Sequence, residues 1–174
     1  MKGYKTSALL LLMLLGPISV FSQKIQWISI QELEEAQALD ERKVFIDVYT
    51  DWCGWCKKMD ASTFTDPKIV SYLTENYHCV KLDGEDKDVI RFKERDFKFV
   101  KSGRRGYNEL PHDLLRGRMS YPTLVFLDEN LDILQEFRGY RVAKDLLPII
   151  KFFGEDIFKE QNWTEYINAA KGEK

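Results

Sequence analysis

Two cysteines two residues apart, in Cys53-Gly54-Trp55-Cys56, are the chain's plainest chemical feature. A dithiol at that spacing can form a small disulfide, hold a metal or anchor a haem. A zinc site needs two more ligands at suitable spacing, yet the third cysteine, Cys79, stands alone and the only histidines are His78 and His112. A c-type haem needs a histidine directly after the second cysteine, where this chain has Lys57. A static disulfide over so short a loop would constrain little of the unfolded chain. Redox chemistry is the reading favoured over an inert disulfide or a metal site.

Position supplies the mechanism. Val44 to Tyr49 is a short β-branched and aromatic run that reads as a buried strand. The dithiol follows at once, at a helix start. There the first sulfur meets unsatisfied backbone N–H groups and the positive end of the helix dipole, which favour its thiolate. The thiolate is the attacking species in disulfide exchange. Cys53 is therefore the expected nucleophile, and Cys56, one turn in, the resolving thiol.

The elements that must hold this dithiol follow from local signals. Ser29 with Glu32 forms a capping box opening a helix from Ile30 to about Ala38. Asp66-Pro67 opens another, to about Asn76. His78 to Asp83 reads as a strand, as does Thr123 to Leu127, with a turn at Asp128-Glu129-Asn130 and a hairpin partner at Ile133 to Phe137. Val142 to Phe153 is helical in pattern, with Pro148 as a kink or a later start. Residues 155–170 offer one more amphipathic helix. Between them, 84–120 is dense in charge, its phenylalanines keep neither period for long, and one or two short helices with loop are expected. Strands and helices alternating, then a hairpin, predict an α/β domain: a central mixed sheet covered on both faces.

At 174 residues the chain suits one domain, and a formal charge of -2 gives no general reason to expect nucleic acid as partner. Lys2 and Lys5 precede an apolar run broken by Gly16-Pro17, with small residues before Gln23. That reads as a secretory signal peptide over 1–22, not a lasting membrane anchor, with residues 23–174 as the exported domain. Export places the cysteines where disulfides persist.

Phe45-Ile46-Asp47-Val48-Tyr49 leading into Asp51-Trp52-Cys53-Gly54-Trp55-Cys56-Lys57 resembles the active-site segment of the thioredoxin superfamily. Val80-Lys81-Leu82-Asp83 is similar to its next core strand, and Tyr121-Pro122-Thr123 to its cis-proline loop. Gly139 matches the glycine after the final hairpin. The resemblance implies a thioredoxin fold over roughly Val44 to Asp83 and Tyr121 to Phe153, with 84–120 as an insert before the cis-proline loop. It implies that Asp47 is the buried acid serving Cys56, that Lys81 tunes it, and that Pro122 is cis. Trp52, Trp55 and Tyr121 are expected to help Pro122 receive substrate. Among family members it is most similar to periplasmic ones, including the thioredoxin-like domain of transmembrane thiol-disulfide interchange proteins. Two departures stand out: Gly-Trp between the cysteines where thioredoxin has Gly-Pro, and the longer stretch between Asp83 and Pro122.

These readings lead to an expectation of a periplasmic or secreted protein-disulfide oxidoreductase, working as a reductase on protein disulfides. It would be fed by a membrane electron donor and would need no cofactor or metal. The rival is a thioredoxin-fold chaperone or adaptor that binds a partner through the insert. Cys79 reads as a core residue, the basic run Arg91 to Arg105 as a solvated face or a docking patch, and His78 and His112 as structural.

Overall fold

The computed structural model describes residues 24–172; the signal-like segment at 1–22 lies outside them. A five-stranded mixed sheet forms the centre. Its strands are β1 (Trp27–Ile28), β2 (Lys43–Tyr49), β3 (Tyr77–Asp83), β8 (Thr123–Leu127) and β9 (Ile133–Arg138), in the order β1-β3-β2-β8-β9. The first three run parallel, while β8 and β9 are antiparallel to their neighbours. β1 went unseen in the sequence because a two-residue strand has no period to read.

Helices fall close to their sequence signals. α1 (Ile30–Leu39) carries the Ser29–Glu32 capping box. α2 (Gly54–Ser62) is capped by Cys53, and α3 (Pro67–Asn76) by Asp66. α5 (Ala143–Gly154) runs through Pro148. That proline is the sixth helical residue, past the first turn, so it removes one interior bond, the one to the Lys144 carbonyl. The single helix expected at 155–170 is instead a 3₁₀ turn at Ile157–Lys159 followed by α6 (Trp163–Gly172). Asn162 and Glu165 accept each other's backbone N–H groups at 3.1 Å, and this reciprocal cap starts a new helix.

The insert departs most from expectation. It holds two small hairpins, β4 (Ile90–Phe92) with β5 (Arg95–Phe97) and β6 (Phe99–Val100) with β7 (Tyr107–Asn108), before a short α4 (Glu109–Leu114). Lys93 and Glu94 form the β4–β5 turn with φ of 48° and 61°. Such tight hairpin turns normally advertise themselves by Asn-Gly or Asp-Gly; Lys-Glu gives no such signal. Contacts from elsewhere in the chain hold the turn. The Lys93 N–H donates to Glu34 Oε1 at 2.8 Å, and its Nζ meets Asp132 at 2.7 Å.

The sheet separates two apolar layers. Because strand side chains alternate, Val44, Ile46 and Val48 enter one layer with Leu33, Val80 and Val125, while Phe45 enters the other with Met59, Leu73, Phe126 and Phe153. Ile90, Phe92, Phe97 and Leu110 of the insert close the first layer together with α1. The insert is thus part of the core. Asp47 shares the side of Phe45, the side on which α2 packs. No helix among the described residues is long and apolar enough to cross a membrane.

Candidate active site

Cys53 and Cys56 are joined in a disulfide at the start of α2. Thr50 and Asp51 carry the chain from β2 through a tight turn, with the Cys53 N–H donating to the Thr50 carbonyl at 3.0 Å. Cys53 is the N-cap, and its Sγ accepts the Cys56 N–H at 3.1 Å. A backbone donor aimed at this sulfur stabilises negative charge on it. Chain direction alone therefore gives the two sulfurs unequal surroundings.

Asp47 has the burial that the resemblance implied. Asp47 is fully buried, and Lys81 stands beside it in register on β3. The Lys81 Nζ donates to Asp47 Oδ2 at 2.6 Å and also pairs with Asp60 of α2. Asp47 Oδ1 has no hydrogen-bond partner. Burial raises the Asp47 pKa from 3.8 to about 6, against the pull of the Lys81 charge and with a push from Asp60. Burial also weighs against the Lys81 ammonium, but Asp47 and Asp60 outweigh it and hold its pKa above the ordinary value. The ammonium lies over the rings of Trp27, Tyr49 and Phe64 at 4.9, 5.1 and 5.3 Å, a setting that favours a cation. Asp60 was missed in the sequence. Its signal, a carboxylate seven residues beyond Cys53, acquires meaning only once α2 lies over β3.

The Tyr121–Pro122 peptide is cis. The Pro122 carbonyl accepts the Gly139 N–H at 2.8 Å, tying the loop to the end of the hairpin. Trp52 and Trp55 remain 51% and 57% exposed, large apolar surfaces that directly precede Cys53 and Cys56 in sequence. Trp52 meets Tyr121 edge to face at 5.8 Å, and Trp55 lies against Tyr140 at 5.4 Å. The eight expected site residues thus fall into three groups: the Cys53–Cys56 disulfide, the Asp47–Lys81 pair on the side of the sheet that α2 covers, and the exposed aromatics Trp52 and Trp55 with Tyr121 and Pro122 of the cis-proline loop.

The remaining candidates are structural. Cys79 is buried in β3 and its thiol is pushed up to about 12 by burial. His78 bonds the Asp40 carbonyl at 2.6 Å, and His112 stacks on Tyr107. Much of the basic run is paired at the surface, Arg91 with Asp96, Lys93 with Asp132 and Arg95 with Asp113. The described residues contain no cluster of potential metal ligands.

Fold and dithiol together define a protein of the thioredoxin fold that carries a Cys-x-x-Cys disulfide at the start of a helix. More particularly, the chain belongs to the Thioredox_DsbH family, described as proteins of unknown function (DUF255), whose model matches residues 18–106. Curated relatives include the thiol:disulfide interchange protein DsbD of Haemophilus ducreyi, 44% identical over 46 residues, or 26% of this chain and 8% of that protein. The DsbD of Photorhabdus laumondii is 41% identical over 54 residues, 30% of this chain and 9% of that one. The matches therefore span less than a tenth of those relatives. Among solved structures, a DsbH oxidoreductase aligns with a TM-score of 0.53 at 19% identity, covering 86% of this chain and 92% of that one. A thioredoxin-fold protein from Helicobacter pylori aligns at 0.56 and 12% identity, covering 75% and 80%. Both confirm the thioredoxin fold.

Proposed function

We propose that the chain is an exported reductase of protein disulfides, with Cys53 as nucleophile and Cys56 as resolving thiol. The observation that carries this reading is the disulfide at the start of α2 with the unpartnered carboxylate oxygen of Asp47 on the side of the sheet that α2 covers.

In the reduced protein the Cys53 thiolate attacks one sulfur of a substrate disulfide. A mixed disulfide forms and the other substrate sulfur leaves as a thiolate. Asp47 accepts the Cys56 proton, and the resulting thiolate attacks Cys53 Sγ. The second substrate sulfur departs, the Cys53–Cys56 disulfide closes, and two electrons have passed to the substrate. Lys81 holds Asp47 Oδ2, leaving Oδ1 as the free acceptor. The cis-proline loop and the aromatic rim present the substrate. Return to the dithiol takes two electrons from a dithiol donor, which we place in the membrane by analogy with the interchange proteins above. Residues 1–22 act as the signal for export.

Thiol-dependent reduction of insulin by wild type and Cys53→Ser tests the chemistry. Turnover by the wild type alone supports exchange, and none by either removes it. Equilibration against a glutathione series tests direction, since about 30 mV in a two-electron couple is a tenfold change in equilibrium constant. A potential well above that of glutathione would make the protein an oxidant and overturn the reductase assignment.

A further inference from the structure

Trp52 is more firmly held than an exposed indole needs to be, and what holds it comes from the insert. The Arg105 guanidinium lies over the indole with Cζ 4.4 Å from the ring centroid. The indole Nε1–H donates to Glu85 Oε1 at 3.0 Å, and Arg105 Nη1 stands 3.7 Å from Glu85 Oε2. Tyr121 closes the arrangement edge to face. Glu85 and Arg105 are 20 positions apart in the chain, yet both are fixed to one anchor. The buried Asn108 donates its N–H to the Gly84 carbonyl at 2.9 Å and its Nδ2 to the Asp86 and Asp88 carbonyls at 3.2 and 3.1 Å.

We infer that Glu85 and Arg105 are positioning residues that hold Trp52 as a rigid wall for an apolar side chain flanking the substrate's half-cystine. The inference rests on the exchange reading above and gives it a substrate class. Trp52 directly precedes the nucleophile and is half exposed, so a chain whose sulfur reaches Cys53 finds this indole beside it. A ring fixed in advance loses little conformational freedom on contact. It presents an apolar face, which a serine or glycine neighbour would leave unused. A bond to Glu85 keeps the indole N–H satisfied, and Arg105 stacks on it while neutralising that carboxylate.

The test uses two disulfide-linked peptides, identical except for leucine or serine beside each half-cystine. For wild type, the leucine substrate has the lower KM. Arg105→Ala and Glu85→Ala raise that KM about two- to fivefold, the size expected for an exposed cation–π contact. They keep kcat and leave the serine substrate unchanged, and Arg105→Lys recovers part of the loss. Equal KM values for the two peptides in wild type, or a fall in kcat without a change in KM, overturn the inference. A calorimetric arm avoids turnover by titrating the S-methylated leucine peptide into the oxidised wild type and Arg105→Ala. Weaker binding to the variant supports the wall; equal binding, or none to wild type, overturns it. If wild type turns over neither disulfide, the exchange reading fails while this arm still decides the wall.

Discussion

Asp47 is caught between burial, which favours its neutral form, and Lys81, which favours its carboxylate; burial is the larger effect. Because its proton is held to about 6 in the fold and to 3.8 outside it, the unfolded chain releases that proton first. Stability therefore falls as pH rises between those values and stays lower above them, by roughly 3 kcal/mol at about 1.4 kcal/mol per tenfold. Asp47→Asn is expected to stabilise the oxidised protein at pH 7.5 by about 1–3 kcal/mol and to change little at pH 4, read by urea unfolding. The same substitution is expected to slow insulin reduction at pH 7 about a hundredfold and to erase the inflection near pH 6, because the base is gone. Asp60→Asn should keep the inflection and shift it. Asp60 repels Asp47 and shares its lysine, so its loss gives Lys81 wholly to Asp47 and moves the inflection to lower pH in a pH–rate profile. An unmoved inflection would remove Asp60 from the account.

Gly84 shows how the insert and the site depend on one another. It directly follows β3, its N–H donates to the Tyr49 carbonyl at 2.8 Å, and a methyl group there would sit 2.1 Å from Tyr121 Oη. The absent side chain is what lets Tyr121 pack down beside Trp52 and Pro122. Gly84→Ala is expected to cost about 1–3 kcal/mol of stability, the usual range for overpacking. It should also raise KM for protein disulfides by pushing Tyr121 off the rim. Denaturant unfolding and insulin kinetics check the two halves. Wild-type values for both would mean that Tyr121 swings aside freely.

Across the molecule the three cysteines experience two environments. Two meet at a helix start beside an exposed rim, and Cys79 lies in the core layer with its thiolate suppressed by burial. After reduction, iodoacetamide at pH 8 is expected to label Cys53 quickly, and Cys79 only once urea unfolds the chain, as mass spectrometry of the labelled peptides would show. Fast labelling of Cys79 in the folded protein would contradict its core placement. The sheet also assigns the insert a structural task. Its first hairpin and α4 close the layer opposite α2, while its loops at Glu85 and Arg105 return to Trp52.

Much of this was legible along the chain, for a physical reason. The dithiol, the caps at Ser29 and Asp66, the strand runs and the cis-proline loop all depend on residues within a few positions of one another, and such interactions leave a pattern in sequence. The position of Cys53 as the N-cap of α2, with Cys56 one turn in, belongs here too. Other features required the chain to close on itself. The Lys93-Glu94 turn is held by Glu34 and Asp132, and Asp60 reaches Lys81 only when α2 crosses β3. Glu85 and Arg105 frame Trp52 only when the insert folds back over β3. Each of these joins residues that neither period nor spacing connects, so their energies come from packing and charge in three dimensions. The Cys53-Gly54-Trp55-Cys56 motif announces disulfide exchange; the fold supplies Asp47's raised pKa and the held wall of Trp52.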